Sequence, residues 1–299
     1  MAIILDGKAC AATVKANAKE KLAAHNFRYP PALGVVMVGN NPASEVYVRN
    51  KKKDCEEVGL GFVLKALPAN SPVPVIKNAI HMLNESKKVA GIILQLPVDG
   101  LTGNKLQAVI DEIDWRKDVD GLTTTSVAAT HLGLPHSFRP CTPAGVMYLL
   151  EYHGISVWGK HVVILGRSNI VGKPMAAMMM KENATVSICH SQTASEDMHT
   201  LMENADIIVS AVGAANKDSS GKSYYTVTDV DVTDACRPQI LIDVGITRGK
   251  DGKLYGDIDP DCYDNPNVVA YTPVPGGVGP MTRAMLIQNV VEAACQYGW

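Results

Sequence analysis

Residues 161–174 read His161-Val162-Val163-Ile164-Leu165-Gly166-Arg167-Ser168-Asn169-Ile170-Val171-Gly172-Lys173-Pro174. A short, continuous apolar run of this kind, closed by glycine, reads as a strand buried on both faces. A helix-like segment, 172–182, follows. A strand that ends in glycine and opens a helix is where a phosphate-binding turn forms, because the helix N-terminus offers N–H groups and the positive end of its dipole. Two familiar turns are excluded. A P-loop carries four residues between its glycines, then Lys and Ser or Thr. Here five residues separate Gly166 from Gly172, and Pro174 replaces the hydroxyl. The G-x-G-x-x-G fingerprint fails at Ser168. On the turn alone, a nucleotide site and a plain strand–helix corner are equally supported.

The next strand adds to the first reading. In dinucleotide folds an acidic residue about 20 positions on binds the ribose 2′-hydroxyl of NAD. The run 184–189 instead ends in His190-Ser191-Gln192-Thr193, without a carboxylate, and Glu196 and Asp197 lie slightly too far along. A cation at Arg167 with hydroxyls in place of an acid suits a 2′-phosphate, hence NADP. The plainer readings are a solvated arginine and an ordinary loop histidine.

Further out, apolar runs at 32–38, 89–95, 205–210 and 239–244 alternate with helix-like segments near 8–24, 43–58, 73–84, 103–112, 143–153, 195–203 and 281–297. That alternation predicts an α/β protein with a parallel sheet covered on both faces. The stretch 115–142 breaks the pattern and reads as loop. A domain boundary is placed there, with 1–142 plus 281–299 expected in one domain and 143–280 in the other.

The 299 residues suffice for two such domains, and 46% of them are hydrophobic. Lys plus Arg is 28 and Asp plus Glu 30, a net charge of −2, which argues against nucleic-acid binding. No apolar stretch is long enough to span a membrane. The first ten residues, MAIILDGKAC, read as neither signal nor transit peptide, and a cytoplasmic location is expected. Seven widely spaced cysteines without C-x-x-C, and eight histidines without H-E-x-x-H, predict neither a disulfide framework nor a bound metal.

Projected as a helix, 41–58 places Ser44, Tyr47, Val48, Lys51, Cys55 and Val58 on one face, with Arg49, Lys52, Lys53, Asp54, Glu56 and Glu57 elsewhere. Lys51 thus interrupts an apolar stripe. It either snorkels outward or occupies a pocket where desolvation lowers its pKa and lets it exchange protons. Tyr47 is its neighbour one turn earlier. The Tyr-x-x-x-Lys spacing also occurs in short-chain dehydrogenases, but there it follows the nucleotide turn, whereas here it precedes it by over a hundred residues.

Three other segments read as ligand-facing loops. Leu94-Gln95-Leu96-Pro97 puts an amide at the carboxyl edge of a sheet, or alternatively a glutamine bound to its own backbone. Lys117-Asp118-Val119-Asp120-Gly121 is an acidic turn, or a solvated loop. Residues 272–282, TPVPGGVGPMT, have rigid corners and exposed N–H groups suited to a flat ligand, or form a linker.

Taken together, YVRNK, LQLP, KDVDG, PCTP, GRSNIVGKP, CHS and TPVPGGVGPMT, in this order over nearly the whole chain, resemble the bifunctional methylenetetrahydrofolate dehydrogenase/methenyltetrahydrofolate cyclohydrolase family. The resemblance implies two α/β domains flanking a cleft, the second a Rossmann-type, doubly wound NADP domain, with the C-terminal helix returning to the first. It implies a homodimer, tetrahydrofolate derivatives as substrates and a place in purine biosynthesis. It makes Lys51 the catalytic lysine, assisted by Tyr47, which stacks on the folate, and by Gln95, with Asp120 bonded to the pterin ring. Leu94, Leu96 and Pro273, Val274, Pro275, Gly276 and Gly277 become folate contacts. Thr142, Gly166, Arg167, Ser168, Ser191, Ile246 and Thr282 become NADP contacts. The implied reactions are oxidation of 5,10-methylenetetrahydrofolate with NADP⁺, then hydrolysis of the methenyl product to 10-formyltetrahydrofolate.

Two other readings compete: a dehydrogenase-only, NAD-preferring relative and a catalytically silent folate-binding protein. The chain departs from the family pattern in a long polar stretch at 214–225, near the expected cofactor edge. At this length it is not expected to carry a formate-activating synthetase domain.

Overall fold

The structure, a computed structural model, describes residues 2–135, 137–213, 216–217, 223–249 and 252–298. The chain runs β1 (Ile3–Ile4), α1 (Gly7–Ala23), β2 (Ala32–Val38), α2 (Pro42–Val58), β3 (Gly61–Leu67), α3 (Val73–Glu85), β4 (Val89–Leu94), α4 (Gly103–Ile110), α5 (Thr124–Leu132) and α6 (Cys141–Tyr152). It continues through β5 (His161–Leu165), α7 (Gly172–Lys181), β6 (Thr185–Cys189), α8 (Ser195–Glu203), β7 (Ile207–Ser210), a small hairpin of β8 (Asn216–Lys217) and β9 (Ser223–Tyr224), and α9 (Asp229–Thr233). Last come β10 (Gln239–Asp243), the pair β11 (Thr247–Arg248) and β12 (Leu254–Tyr255), β13 (Val268–Tyr271) and α10 (Val278–Tyr297). No helix among the described residues is long and apolar enough to cross a membrane.

Two compact units result. In one, built from Ala11–Cys141 and the chain from Arg283 on, a parallel sheet has the order β3-β2-β4. Its central strand, ALGVVMV, is buried along nearly its whole length, as a strand covered on both faces must be. Ile76, Ala79, Ile80 and Leu83 of α3 recur at helical spacing and pack with Ile92 and Leu94 of β4. Truncating Ile80, which is fully buried, to alanine would cost about 2–5 kcal/mol.

In the other unit, residues through Cys10 and Thr142–Thr282, six parallel strands have the order β1-β13-β10-β7-β5-β6. After β1 at one edge, the chain re-enters this sheet at β5, adds β6 at the other edge, and then crosses back through β7, β10 and β13, so the carboxyl ends of the parallel strands β5, β6 and β7 share one edge.

The structure differs from the sequence reading in four places. The first ten residues, expected with the first domain, join the nucleotide-type sheet, where Ile3 pairs with Ala270 and Ile4 with Tyr271. A two-residue strand carries too little pattern to be read. Within 115–142, read as loop, α5 forms because its ends are capped: Thr123 Oγ1 accepts the Ser126 N–H at 3.2 Å, and Gly133 closes the helix at φ 68°. The apolar runs do not mark β3, an edge strand with Leu64 exposed, β13, which spans four residues, or the two-residue strands β8, β9, β11 and β12. Helix α10 begins at Val278, with Pro280 inside its first turn, where no N–H is required.

Candidate active site and nucleotide-binding turn

Helix α2 presents the stripe that the sequence predicts. Ser44, Val48, Cys55 and Val58 are buried, Lys52 and Lys53 are exposed, and Lys51 is half-buried among them. The Lys51 ammonium donates to Gln95 Oε1 at 2.8 Å. Gln95, itself buried, follows β4 directly and donates its Nε2 to the Leu96 carbonyl at 2.7 Å. The reading of a glutamine bound to nearby backbone holds, and that bond fixes the amide so that its oxygen faces the lysine. Tyr47 sits one helical turn before Lys51 and is 47% exposed, available to a ligand. Leu94 belongs to the core, and Leu96 packs against that cluster half-buried.

Burial drives Lys51 below the ordinary lysine range. The Asp120 carboxylate opposes that shift, and the Arg283 guanidinium adds to it. Two thiols also face this lysine. Burial pushes Cys55 up to about 12 and Cys141 well above the usual thiol range, so both stay neutral and Asp120 is the anion facing Lys51. The result is an amine held by a neutral acceptor, with a depressed proton affinity and a carboxylate nearby.

The 117–121 turn is not a solvated loop. Lys117 is 1% exposed and donates to the Asn84 and Ser86 carbonyls at 2.7 and 2.9 Å. Asp118 is equally buried and accepts the Leu122 and Thr123 N–H groups at 3.1 and 2.7 Å. These anchors hold the turn beside β4, where the Ile92 N–H reaches the Lys117 carbonyl at 2.7 Å. Asp120 then emerges half-buried.

Several supporting residues escaped the sequence reading. Asp54, placed off the apolar stripe, is 3% exposed, because Arg283 Nε and Nη2 bind its two oxygens at 2.6 and 2.7 Å. This bidentate pair ties α10 to α2 one turn beyond Lys51. Asn289 of α10, also buried, donates to the Val119 carbonyl at 2.8 Å, and the Cys141 thiol donates to the same oxygen at 3.3 Å. Nothing in local sequence links residues 119 and 289. Only a polar residue in the buried stripe of α10 hints at it.

In the other unit, Gly166 follows β5 with φ 118°, and its N–H reaches the Cys189 carbonyl at the end of β6 at 2.8 Å. A Cβ there would lie 2.5 Å from the Ala211 carbonyl oxygen, and a Cβ on Gly172 would lie 2.1 Å from that of Gly166. The turn closes only with glycine at both positions. It differs from the expectation in one respect. Ser168 Oγ accepts the Val171 and Gly172 N–H groups at 3.1 and 3.4 Å, so the hydroxyl caps α7 internally. With serine in place of the fingerprint glycine, anion contact falls to side chains. Arg167, Ser168 and Ser191 are all exposed after the ends of the neighbouring strands β5 and β6. Arg167 makes no hydrogen bond or ion pair among the described residues. A guanidinium and two hydroxyl donors on one sheet edge fit the phosphate groups of a dinucleotide.

Thr142 and Thr282 meet through their hydroxyls at 3.0 Å. Ile246 is half-buried after β10, and a Cβ on Gly279 would lie 3.4 Å from its Cδ1. The 273–277 turn lies in this unit, closed by Gly277 N–H to the Pro273 carbonyl at 2.7 Å and packed against Gly7 and Lys8. Lys51, Gln95 and Asp120 belong to the other unit. Of the polar stretch at 214–225, residues 214–215 and 218–222 lie outside the described residues.

The catalytic-domain profile of the tetrahydrofolate dehydrogenase/cyclohydrolase family matches residues 5–120, and its NAD(P)-binding-domain profile matches 140–297. Bifunctional protein FolD of Variovorax paradoxus is 43% identical over 295 residues, 97% of each chain. The solved bifunctional enzyme FolD of Campylobacter jejuni is 38% identical, with a TM-score of 0.88 over 99% of this chain and 100% of that one. The Trypanosoma brucei enzyme, solved with NADP cofactor and inhibitor, is 31% identical, with a TM-score of 0.89 over 99% and 98%. The lysine–glutamine pair, the glycine-closed turn and full-length similarity on both units agree: the chain belongs to the tetrahydrofolate dehydrogenase/cyclohydrolase family.

Proposed function

We propose that Lys51, Gln95, Tyr47 and Asp120 carry the folate chemistry of this enzyme, and that Arg167, Ser168 and Ser191 hold the phosphate end of NADP. The chain is a bifunctional enzyme of one-carbon metabolism. It oxidises 5,10-methylenetetrahydrofolate to the methenyl form and hydrolyses that to 10-formyltetrahydrofolate. When bound, NADP⁺ supplies the acceptor for the hydride that leaves the methylene carbon.

The protein's own task in the first reaction is placement. Tyr47 offers a ring face to the pterin, Asp120 a carboxylate to its ring N–H groups, and the 273–277 turn further folate contacts, with Leu94 and Leu96 at the edge of β4. Thr142, Gly166, Ile246 and Thr282 complete the cofactor contacts.

Proton traffic belongs to the second reaction. Water adds to the methenyl carbon and loses a proton. The resulting hydroxyl gives up its proton as it becomes the formyl carbonyl, the bond from that carbon to the ring nitrogen N5 breaks, N5 takes up a proton, and the formyl group stays on N10. One proton is released overall. Lys51 as the neutral amine accepts the water's proton, and as the ammonium it is the donor to N5. Gln95 accepts one Lys51 N–H in either state, so the amine is held while its charge changes. The observation that carries this reading is the Lys51–Gln95 bond on a lysine whose burial disfavours its charge.

The NAD-preferring and silent readings give way to the bifunctional one. Both family domains are matched, and Lys51 and Gln95 are engaged with each other. Steady-state rates with NADP⁺ and NAD⁺, read beside hydrolysis of the methenyl substrate, test the assignment. The account requires NADP⁺ preference and both reactions in one chain.

A homodimer, a cytoplasmic location and a role in purine biosynthesis extend the proposal. The edge strand β6, with Ile188 38% exposed, is the surface that supports pairing between copies. Light scattering that returns the mass of one chain would remove the dimer from it.

A further inference from the structure

Two buried carboxylates cluster at the carboxyl ends of β7 and β10. Asp257 is 2% exposed and Asp243 1%. Asp243 accepts the Asp257 and Ile258 N–H groups at 2.9 and 3.0 Å, which fixes the backbone of Asp257. The Asp257 carbonyl is held in turn by the Thr226 N–H at 2.7 Å and the Thr226 hydroxyl at 3.0 Å. Gly245 gives the side chain its room, since a Cβ there would stand 2.0 Å from the Asp257 carboxyl carbon.

So fixed, Asp257 aims one oxygen at the segment after β7. Oδ2 accepts the Val212 N–H at 2.8 Å, the Gly213 N–H at 3.1 Å and the Ser210 hydroxyl at 3.3 Å. Ser210 also meets the Thr226 hydroxyl at 2.6 Å. The other oxygen, Oδ1, is buried and has no hydrogen-bond partner among the described residues. A carboxylate buried with an oxygen unsatisfied costs stability, so its presence calls for a role. The segment it grips is the wall of the nucleotide turn: the Ala211 N–H reaches the Leu165 carbonyl at 2.8 Å, and the Ala211 oxygen is what a Cβ on Gly166 would strike.

We infer that Asp257 is a positioning residue for the dinucleotide site, fixing Ala211–Gly213 against Gly166 so that the turn keeps one geometry for its ligand. Asp257 touches no reacting atom and acts through the 211–213 backbone. The inference rests on the proposed placement of NADP at Gly166–Ser168.

Hydrolysis of 5,10-methenyltetrahydrofolate uses no cofactor and separates this role from general loss of structure. In Asp257→Ala, the Kd for NADPH, read by fluorescence titration, is expected to rise at least tenfold, with the hydrolysis rate within twofold of wild type. Asp257→Asn keeps an acceptor oxygen for Val212 and Gly213 and can turn its NH₂ toward the Oδ1 side. It is expected to bind NADPH within threefold of wild type. Should the alanine variant not fold, Thr226→Val removes only the hydroxyl that steadies Ser210 and Asp257, and about a threefold weaker Kd is expected. Unchanged NADPH affinity in a folded Asp257→Ala, or in Thr226→Val when it stands in, overturns the inference, as does a parallel loss of hydrolysis. If Arg167→Ala also leaves NADPH binding unchanged, the placement of NADP itself has failed, which is a separate result.

Discussion

Lys51 and Gln95 are 44 residues apart in sequence, yet Nζ and Oε1 meet at 2.8 Å. A helix supplies the amine and a strand end supplies the amide, so the pair is set by how α2 lies over the β3-β2-β4 sheet rather than by either segment alone. A neutral acceptor on a buried amine leaves its proton affinity low, which is the state a base needs near neutral pH.

That arrangement has a stability consequence with a definite sign. Lys51 is depressed in the folded chain, so between its folded pKa and the unfolded value of about 10.4 the unfolded state binds more protons. Folding stability contributed by this residue therefore rises with pH through that window. Lys51→Met, an apolar side chain of similar length, is expected to melt higher than wild type at pH 7. The difference should vanish above about pH 10.4. Melting curves across pH check it, and a Met variant less stable at pH 7 would contradict the burial argument.

Asp243 behaves in the opposite sense. Burial pushes its carboxyl up to about 7, with the neighbouring Asp257 adding to the shift. Its contribution to stability is thus fully present below the unfolded value of about 3.9 and is lost as pH rises through about 7. Asp243→Asn should flatten the fall in stability across that interval. Urea midpoints from pH 4 to 8 would show whether the wild-type slope depends on this residue.

Arg167 is unengaged among the described residues, and charge-assisted hydrogen bonds to a phosphate are worth about 1.5–3 kcal/mol. Arg167→Ala should raise the KM for NADP⁺ about 10- to 100-fold and leave that for NAD⁺ within about twofold. Equal losses with both cofactors would mean the arginine does not read the 2′-phosphate.

Asn289 secures the turn that presents Asp120 by donating to the Val119 carbonyl. Asn289→Leu takes away the amide donor, and losing the partner of a buried carbonyl costs about 1–3 kcal/mol. A lower urea midpoint with an unchanged m-value is expected, together with slower turnover of folate substrates. A variant as stable and active as wild type would show that the Cys141 thiol suffices to hold that oxygen.

Much of this was legible in the sequence because its signals are local. The continuous apolar strands, the helix spacing that isolates Lys51 on its stripe, and the glycine after β5 are all written in short windows. What was not legible depends on partners far along the chain. Asp54 reads as a solvated acid until Arg283 meets it, 229 positions later. Lys117 and Asp118 read as a charged loop because their anchors are backbone groups, which carry no sequence signature. Helix α5 was missed because Thr123 and Gly133 cap a segment with little amphipathic pattern, and β1 because two residues cannot display a period. Ser168 lies in the turn that the glycines mark, but its capping of α7 rests on the Val171 and Gly172 N–H groups that point at it, which no local pattern announces.

The claim at the centre of this account, that Lys51 moves the protons of hydrolysis, is tested by absorbance after mixing Lys51→Met with 5,10-methylenetetrahydrofolate and NADP⁺. Wild type should form NADPH without build-up of the methenyl compound. The variant should accumulate it, with hydrolysis slowed by about 10²- to 10⁴-fold. Hydrolysis at the wild-type rate in Lys51→Met would contradict the assignment.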